Sequence, residues 1–130
     1  MSKYVPYYPE AAAKAKELVR NEKDPLVKYQ IVTQWVQRNF LYDLIRAVTI
    51  PKRGQFPDVD RCWKTHMGIC MDIASMTTGM LRAVGVNAYM IYGHTEKTYH
   101  AWVEAHIKGK VYRYDHSGKA RKYKREKVFT

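Results

Sequence analysis

A cysteine, a histidine and an aspartate occur at positions 70, 100 and 115, and together they are the residue types of nucleophilic catalysis. In such chemistry a thiolate attacks a carbonyl carbon, an imidazole moves the proton, and a carboxylate orients the imidazole. Cys70, His100 and Asp115 therefore define a hypothesis of acyl transfer through a thioester. The hypothesis requires that the elements carrying these side chains bring them into one crevice.

Cys70 begins the strongest helical pattern of the chain. Apolar residues recur there at intervals of three and four, at Ile69, Ile73, Met76, Met80 and Val84. A cysteine in the first turn of a helix faces unpaired N–H groups and the positive end of the helix dipole, and both favour the thiolate. The same N–H groups can bind an oxyanion. The alternative is a buried cysteine that only packs in the core.

The segments on either side of Lys108-Gly109 alternate between apolar and polar residues, which predicts a β-hairpin. A two-residue turn at Lys108-Gly109 sets Trp102 opposite Asp115. His100 then projects from the same face as Trp102, and its backbone lies about 7 to 8 Å from that of Asp115. This register lets the carboxylate orient the imidazole. The alternative is a structural hydrogen bond on a half-buried sheet.

The segments that precede the cysteine helix in the sequence differ in pattern from those that follow it. Helical patterns over residues 9–20 and from 25 to about 43 precede it, and β-favouring segments over 87–92, 101–107 and 111–115 follow it. Residues 44–66 lack periodicity and predict a long loop that forms one wall of a cleft. Helices first and strands afterwards are typical of the α+β class. We expect one domain over residues 1–130, with the cysteine helix packed on three antiparallel strands.

Four segments, taken together, resemble the transglutaminase-like superfamily of papain-type cysteine enzymes. The nucleophile segment is WKTHMGICMDIASMTTGMLRAVGVNAYMIYG over residues 63–93, and the histidine strand is YHAWVE over 99–104. The closing strand is KVYRYD over 110–115, and the preceding helix is QWVQRNFLYD over 34–43. Because Ile69 and Met71 flank the cysteine where animal transglutaminases have Gln and Trp, the chain is most similar to small bacterial members.

The resemblance implies a papain-like transglutaminase core in which each of the three residues has a role. Cys70 is the implied nucleophile, His100 the general base and then acid, and Asp115 the residue that orients His100. The implied reaction is cysteine-dependent acyl transfer on the amide bonds of a peptide or protein. Hydrolysis, as in a peptidase or amidase, is the favoured outcome, and crosslinking to an amine is the alternative.

Four aromatic residues are candidates for the surroundings of the thiol. The superfamily has an aromatic or amide donor near the oxyanion, and here Trp35 and Tyr42 are the candidates. Trp63 and Trp102 are candidates for the walls of the cleft. Packing in the hydrophobic core is the alternative for each tryptophan.

The chain carries 23 basic and 12 acidic residues, which gives a formal net charge of +11. Part of the excess falls in a predicted basic tail over residues 117–130, at Lys119, Arg121, Lys122, Lys124, Arg125 and Lys127. Such a charge predicts an anionic partner, whether an acidic peptide substrate, an anionic polymer or surface, or nucleic acid. A solvated tail is the simpler alternative. A non-catalytic basic binding module is the alternative to an enzyme, although no known nucleic-acid-reading motif occurs.

Several classes are excluded by composition and spacing. Two cysteines are too few for a disulfide scaffold, and no zinc-site spacing occurs, so we expect neither a metal nor a cofactor. No apolar run approaches the roughly 20 residues of a membrane-spanning helix. We expect a cytoplasmic protein if the chain is complete, and a secreted or cell-surface one if a signal peptide was removed. Neither the substrate nor the oligomeric state has a sequence signal.

Overall fold

The computed structural model describes residues 3–49, 55–118 and 120–130. Helices and strands are numbered in chain order. The helices are α1 (Pro9–Leu18), α2 (Pro25–Asn39), α3 (Leu44–Thr49), α4 (Val59–Thr65) and α5 (Cys70–Ala83). The strands are β1 (Leu41–Tyr42), β2 (Met67–Gly68), β3 (Ala88–Thr95), β4 (Tyr99–Ile107), β5 (Lys110–Tyr114) and β6 (Tyr123–Phe129). This mixed helix and sheet architecture confirms the predicted α+β class.

Helix α5 is the centre of the core. It is buried along most of its length, since α1, α2 and α4 pack against it and β3 and β4 cover another side. The chain leaves the helix through Gly85, whose φ of +82° is readily adopted only by glycine. The periodicity that predicted this helix therefore reflects its packing on several sides at once.

The main sheet has four antiparallel strands in the order β5-β4-β3-β6. Lys108 and Gly109 form the two-residue turn between β4 and β5, and both have positive φ, 52° and 79°. Ile107 consequently pairs with Lys110, and Val103 pairs with Tyr114. The predicted hairpin and its register are confirmed.

The fourth strand corrects the sequence analysis, which expected three strands and a basic tail over 117–130. Residues 123–129 form β6, which pairs with β3 at one edge of the sheet. Charged side chains are common on edge strands because they discourage pairing with other chains, and here they obscure the alternation. Of the basic residues in this segment, Lys119 lies outside the described residues.

The segment 44–66 also differs from the predicted loop, because it contains the short helices α3 and α4. Asp43 caps α3 by accepting a hydrogen bond from the Arg46 N–H at 3.0 Å, and Asp58 caps α4 by accepting from the Arg61 N–H at 3.0 Å. Six or seven residues are too few to show a helical period. The capping aspartates were the usable signal.

The N-terminal helices agree with the prediction, with one change at the end of α2. Asp24 caps α2 by accepting a hydrogen bond from the Leu26 N–H at 2.9 Å, and Pro25 is the first residue of the helix. The helix ends at Asn39 rather than near 43, because Leu41 and Tyr42 pair with β2 instead. In the described part of the chain, no helix has the length and apolar character needed to cross a membrane.

Candidate active site

Cys70 is the first residue of α5 and is partly buried. The preceding residues are held in place by a short parallel pairing, in which Tyr42 of β1 lies beside Gly68 of β2. Gly68 has no room for a side chain, since a Cβ there would lie 2.9 Å from the Asp72 Cβ and 3.0 Å from the Cys62 Sγ. The backbone leading to the thiol is therefore tightly packed.

Asp72 anchors the start of this helix. Its side chain is buried and accepts hydrogen bonds from the backbone N–H of Ile69 at 3.0 Å and of Asp58 at 2.8 Å. The guanidinium of Arg46 also binds it, with Nε 2.8 Å from Oδ2. One carboxylate thus joins the residue before Cys70 to α3 and to the start of α4. This network therefore fixes the backbone immediately before Cys70.

His100 and Asp115 meet across the β4–β5 hairpin. The His100 Nε2 lies 2.9 Å from the Asp115 Oδ1, and the two side chains are 12% and 5% exposed. The same carboxylate accepts hydrogen bonds from the Ser117 hydroxyl at 2.9 Å and from the Tyr123 hydroxyl at 2.8 Å. Because Nε2 is hydrogen-bonded to the carboxylate, Nδ1 is the ring nitrogen that remains available to a different partner.

Cys70 and His100 line one cavity of about 440 Å³. Burial disfavours the charged imidazole, but hydrogen bonds with Asp115 and Cys70 outweigh it and raise the pKa of His100 to about 10. Burial likewise opposes ionisation of Asp115, yet hydrogen bonds from His100 and Tyr123 lower its pKa to about 2. The arrangement therefore favours an imidazolium beside a carboxylate at neutral pH, with the thiol in reach of the ring.

Tyr42 is the oxyanion candidate that lies at this site. It lines the large cavity and also a smaller one shared with Cys70 and Asp115. Burial, together with the charges of Cys70 and Asp72, raises the pKa of its hydroxyl. The hydroxyl therefore stays protonated at neutral pH and can donate a hydrogen bond.

Trp35 and Trp63 lie elsewhere. Their rings are 5.9 Å apart in an aromatic cluster with Phe40 and His66, on the side of the core formed by α2 and α4. Neither residue lines the two cavities at Cys70. This placement does not support Trp35 as a candidate for the oxyanion donor or Trp63 as a candidate for the cleft wall. The alternative given for each, packing in the core, describes their position.

Trp102 is fully buried beneath the start of β6. Its indole N–H donates to the Glu104 Oε2 at 3.1 Å, so it is not free to bind an oxyanion. One edge of the residue lines the smaller cavity at Cys70. Trp102 therefore contributes to the wall of the smaller cavity, together with Asp115.

The basic residues near the C-terminus do not share one role. The Arg125 Nε lies 3.0 Å from the Glu104 Oε1, and the backbone N–H groups of Arg121 and Lys122 each bind Glu96 at 2.9 Å. Lys124 is exposed on β6, whereas Lys127 lines the large cavity with Cys70. Part of the predicted anionic-partner surface thus stabilises the fold, and one lysine belongs to the cleft.

Ser117 and Tyr123 are the residues at this site that the sequence analysis did not find. Both contact Asp115, but they follow it in a segment that was interpreted as a tail. The β-favouring residues Tyr123, Val128 and Phe129 were the available signal for a strand, although charged residues separate them. Within residues 3–49, 55–118 and 120–130, no group of three or more metal-binding side chains is placed to hold an ion.

A thiol at the start of a buried helix, beside a histidine on an antiparallel sheet, is the arrangement of papain-type cysteine enzymes. The chain belongs to the transglutaminase-like superfamily, whose family model matches residues 12–116. No curated protein sequence matches it. The resemblance expected from the four sequence segments is thereby confirmed.

Solved structures show the same fold at low sequence identity. A proposed cysteine protease from Cytophaga hutchinsonii is 20% identical with a TM-score of 0.71, over 92% of this chain and 40% of that one. A proposed protease from Parabacteroides distasonis is 18% identical with a TM-score of 0.65, over 88% and 27%. A TGase is 16% identical with a TM-score of 0.63, over 92% and 32%. The chain thus spans less than half the length of each of these proteins.

Proposed function

We propose that the protein catalyses acyl transfer from amide bonds through a Cys70 thioester, with hydrolysis as the outcome. The observation that carries this proposal is the chain of contacts in one cleft. Cys70 and His100 line the same cavity, and the His100 Nε2 lies 2.9 Å from a buried Asp115 carboxylate. These are the nucleophile, the base and the orienting group that such chemistry requires.

In the first half-reaction, the Cys70 thiolate attacks the amide carbonyl carbon and forms a C–S bond. The negative charge moves to the carbonyl oxygen. As the C–N bond breaks, the His100 imidazolium gives its proton to the departing amine. The products are a free amine, a Cys70 thioester and a neutral imidazole held by Asp115.

In the second half-reaction, neutral His100 takes a proton from water as the oxygen attacks the thioester carbon. The tetrahedral intermediate then breaks its C–S bond and releases a carboxylic acid and the Cys70 thiolate. A primary amine in place of water gives a new amide, which is the crosslinking alternative. The same three residues serve both outcomes.

Two groups are suited to stabilise the oxyanion. The backbone N–H of Cys70 lies in the first turn of α5, where helical N–H groups have no intrahelical acceptor. The hydroxyl of Tyr42 lies at the same cavity and stays protonated at neutral pH. Each donor would gain strength as charge develops on the oxygen.

The cleft favours a peptide that combines an aromatic or apolar contact with a negative charge. Four tyrosines line the cavity, at Tyr4, Tyr42, Tyr92 and Tyr99. Lys127 is the one lysine or arginine lining it among the described residues, and no carboxylate lines it. A substrate carboxylate near the scissile amide would therefore meet a cation and no opposing acid, which agrees with the net charge of +11.

The direct test is mass spectrometry of the protein with a peptide library, in the presence and absence of methylamine. We expect an acid-stable mass increase on Cys70 at early times, followed by carboxylic acid products. Cys70→Ala is the control. Methylamide products that dominate over acids would favour the crosslinking alternative. A library that yields neither an adduct nor a product, with Cys70 still open to iodoacetamide, would contradict acyl transfer.

A non-catalytic role in binding anionic polymers is a second candidate, supported by the exposed lysine Lys124 on β6 and by the overall charge. Binding to heparin or DNA should weaken steeply between low and moderate salt. Lys124→Gln should weaken it, and Thr98→Gln is a control outside β6. If Cys70→Ala binds as well as the wild type and no thioester forms, the binding function is favoured.

A further inference from the structure

The hydroxyl of Tyr123 reaches the oxygen of Asp115 that faces away from His100. It lies 2.8 Å from Oδ2, whereas the His100 Nε2 lies 2.9 Å from Oδ1. Ser117 donates to Oδ1 from its hydroxyl at 2.9 Å and from its backbone N–H at 3.2 Å. Both oxygens are thus held, and Tyr123 alone among the described side chains is hydrogen-bonded to Oδ2.

This contact crosses the whole sheet. Asp115 follows β5 at one edge, and Tyr123 begins β6 at the other. Gly93 of β3 makes the crossing feasible, because a Cβ there would overlap the Lys124 carbonyl oxygen and lie 2.7 Å from the Trp102 ring. A bulge in the pairing of β3 with β6 falls between Tyr92 and Gly93. The absence of a side chain at Gly93 therefore lets the β6 backbone next to Tyr123 lie close to Trp102.

The ring of Tyr123 is held on two sides. The Arg113 guanidinium lies 3.8 Å from the ring centroid, and the Trp102 ring meets it edge-on at 4.9 Å. Burial and the hydrogen bond to Asp115 raise the pKa of Tyr123 to about 12, so its hydroxyl remains a donor at every working pH. A donor fixed in this way restricts rotation of the carboxylate about its χ2 angle.

We propose that Tyr123 is a positioning residue that locks the Asp115 carboxylate in the plane needed to orient His100. The proposal rests on the proposed function, in which His100 exchanges protons with Cys70 and the substrate. Tyr123 acts through Asp115 and touches neither the thiol nor the reacting carbonyl. The C-terminal strand is consequently part of the active-site support.

The role predicts a change in the titration of His100. The titratable and charged groups around the His100–Asp115 pair are Cys70 on α5, Arg113 and Tyr114 on β5, His116 next to Asp115, and Tyr123 on β6. Without the Tyr123 hydroxyl, the carboxylate is free to rotate away from the imidazole. The pKa of His100, which is now raised to about 10, should then fall toward its usual value.

The experiment compares Tyr123→Phe, Asp115→Ala and the double variant in the full chain. Two quantities are measured: the second-order rate of Cys70 modification by iodoacetamide at pH 6.5, and the titration of His100 by NMR of labelled histidine. We expect Tyr123→Phe to slow the modification about tenfold, as for the loss of one hydrogen bond to a charged group, and to lower the His100 pKa. The double variant should react no more slowly than Asp115→Ala alone. Circular dichroism checks that each variant is folded.

Tyr89→Phe is the matched control, since no hydrogen bond from the Tyr89 hydroxyl occurs among the described residues, and it should react like the wild type. A wild-type rate and titration for Tyr123→Phe, with Asp115→Ala slow, would overturn the positioning role only. An unchanged rate for Asp115→Ala would instead overturn the proposed function. If Tyr123→Phe unfolds, Tyr123→Met takes its place, because it also lacks the hydroxyl: slowing that vanishes in the Asp115→Ala background supports the role, and a wild-type rate overturns it.

Discussion

The two cysteines of this chain lie in different surroundings, which distinguish a candidate nucleophile from a core residue. Cys62 is 1% exposed on α4, and burial together with the charges of Asp72 and Asp58 raises its pKa to about 12. Cys70, eight residues later, is partly exposed at a helix start and lines a cavity with His100. The same side chain is thus a core residue in one place and a candidate nucleophile in the other.

The largest expected effect comes from removing each thiol in turn. Cys70→Ala should lower acyl transfer by about 10³-fold or more, because the proposed covalent intermediate cannot form. Cys62→Ala should leave the rate within about twofold and reduce only stability, by roughly 1–3 kcal/mol for a buried side chain. Peptide turnover and thermal unfolding of both variants test this. Equal losses of turnover would contradict the contrast between the two cysteines.

The second effect concerns pH and reactivity. At pH 8 the thiolate form of Cys62 should be on the order of 10⁻⁴ of the total. Iodoacetamide should therefore modify Cys70 and spare Cys62 until urea unfolds the chain. Comparable modification of both cysteines in the native protein would contradict the prediction.

The pKa of His100, raised to about 10, predicts a pH dependence of stability. The imidazolium stabilises the fold fully below about pH 6.5, and this contribution is lost as the pH rises through about 10. Turnover should fall over the same upper range.

The third effect concerns the backbone that holds the candidate nucleophile in place. Asp72→Ala leaves the Arg46 guanidinium without its partner and frees the backbone before Cys70, so we expect a loss of about 3–5 kcal/mol in the free energy of unfolding. Asp60→Ala, which removes an exposed ion pair with Lys64 and an exposed hydrogen bond from the Tyr8 hydroxyl, is the control and should cost much less stability. Similar losses in urea unfolding would show that the buried carboxylate is not the anchor.

The smallest effect concerns Gly68, which packs against Cys62 and lies two residues before Cys70. Gly68→Ala adds a Cβ 3.0 Å from the Cys62 Sγ and 2.9 Å from the Asp72 Cβ, and such overpacking should cost roughly 1–3 kcal/mol. In the Cys62→Ala background part of this cost should disappear, because the sulfur is gone. Urea unfolding of the double-mutant cycle measures the difference. Additive losses would mean that the strain lies wholly at Asp72.

Much of this site was predictable because local patterns coincide with the tertiary structure there. The α5 periodicity, the stop at Gly85 and the Lys108-Gly109 turn are signals within a few residues, and the turn sets the register that joins His100 to Asp115. The charged edge strand β6 and the short helices α3 and α4 have weak local signals. Tyr123 could not be found, since its contact depends on a strand order that spacing does not encode.

The aromatic residues also show that a sequence pattern does not reveal tertiary neighbours. Trp35 lies on the amphipathic stripe of α2, as its spacing indicates, but spacing does not say which neighbours that stripe meets. Tyr42 reaches the cleft because the chain leaves α2 early to pair with β2. A two-residue strand of this kind has no sequence signature, and it decides which of the two candidates is beside the thiol.

The ion pair between Arg125 and Glu104 has a practical consequence for dissecting the charge of this protein. Glu104 is 3% exposed, and its carboxylate is shared between the Trp102 indole and the Arg125 guanidinium. Truncating the C-terminal segment would remove Arg125 and leave the buried Glu104 carboxylate without its counter-charge. The sheet as a whole would then lose stability. Neutralising surface lysines singly is thus the informative route, whereas a shortened chain would confuse lost affinity with lost folding.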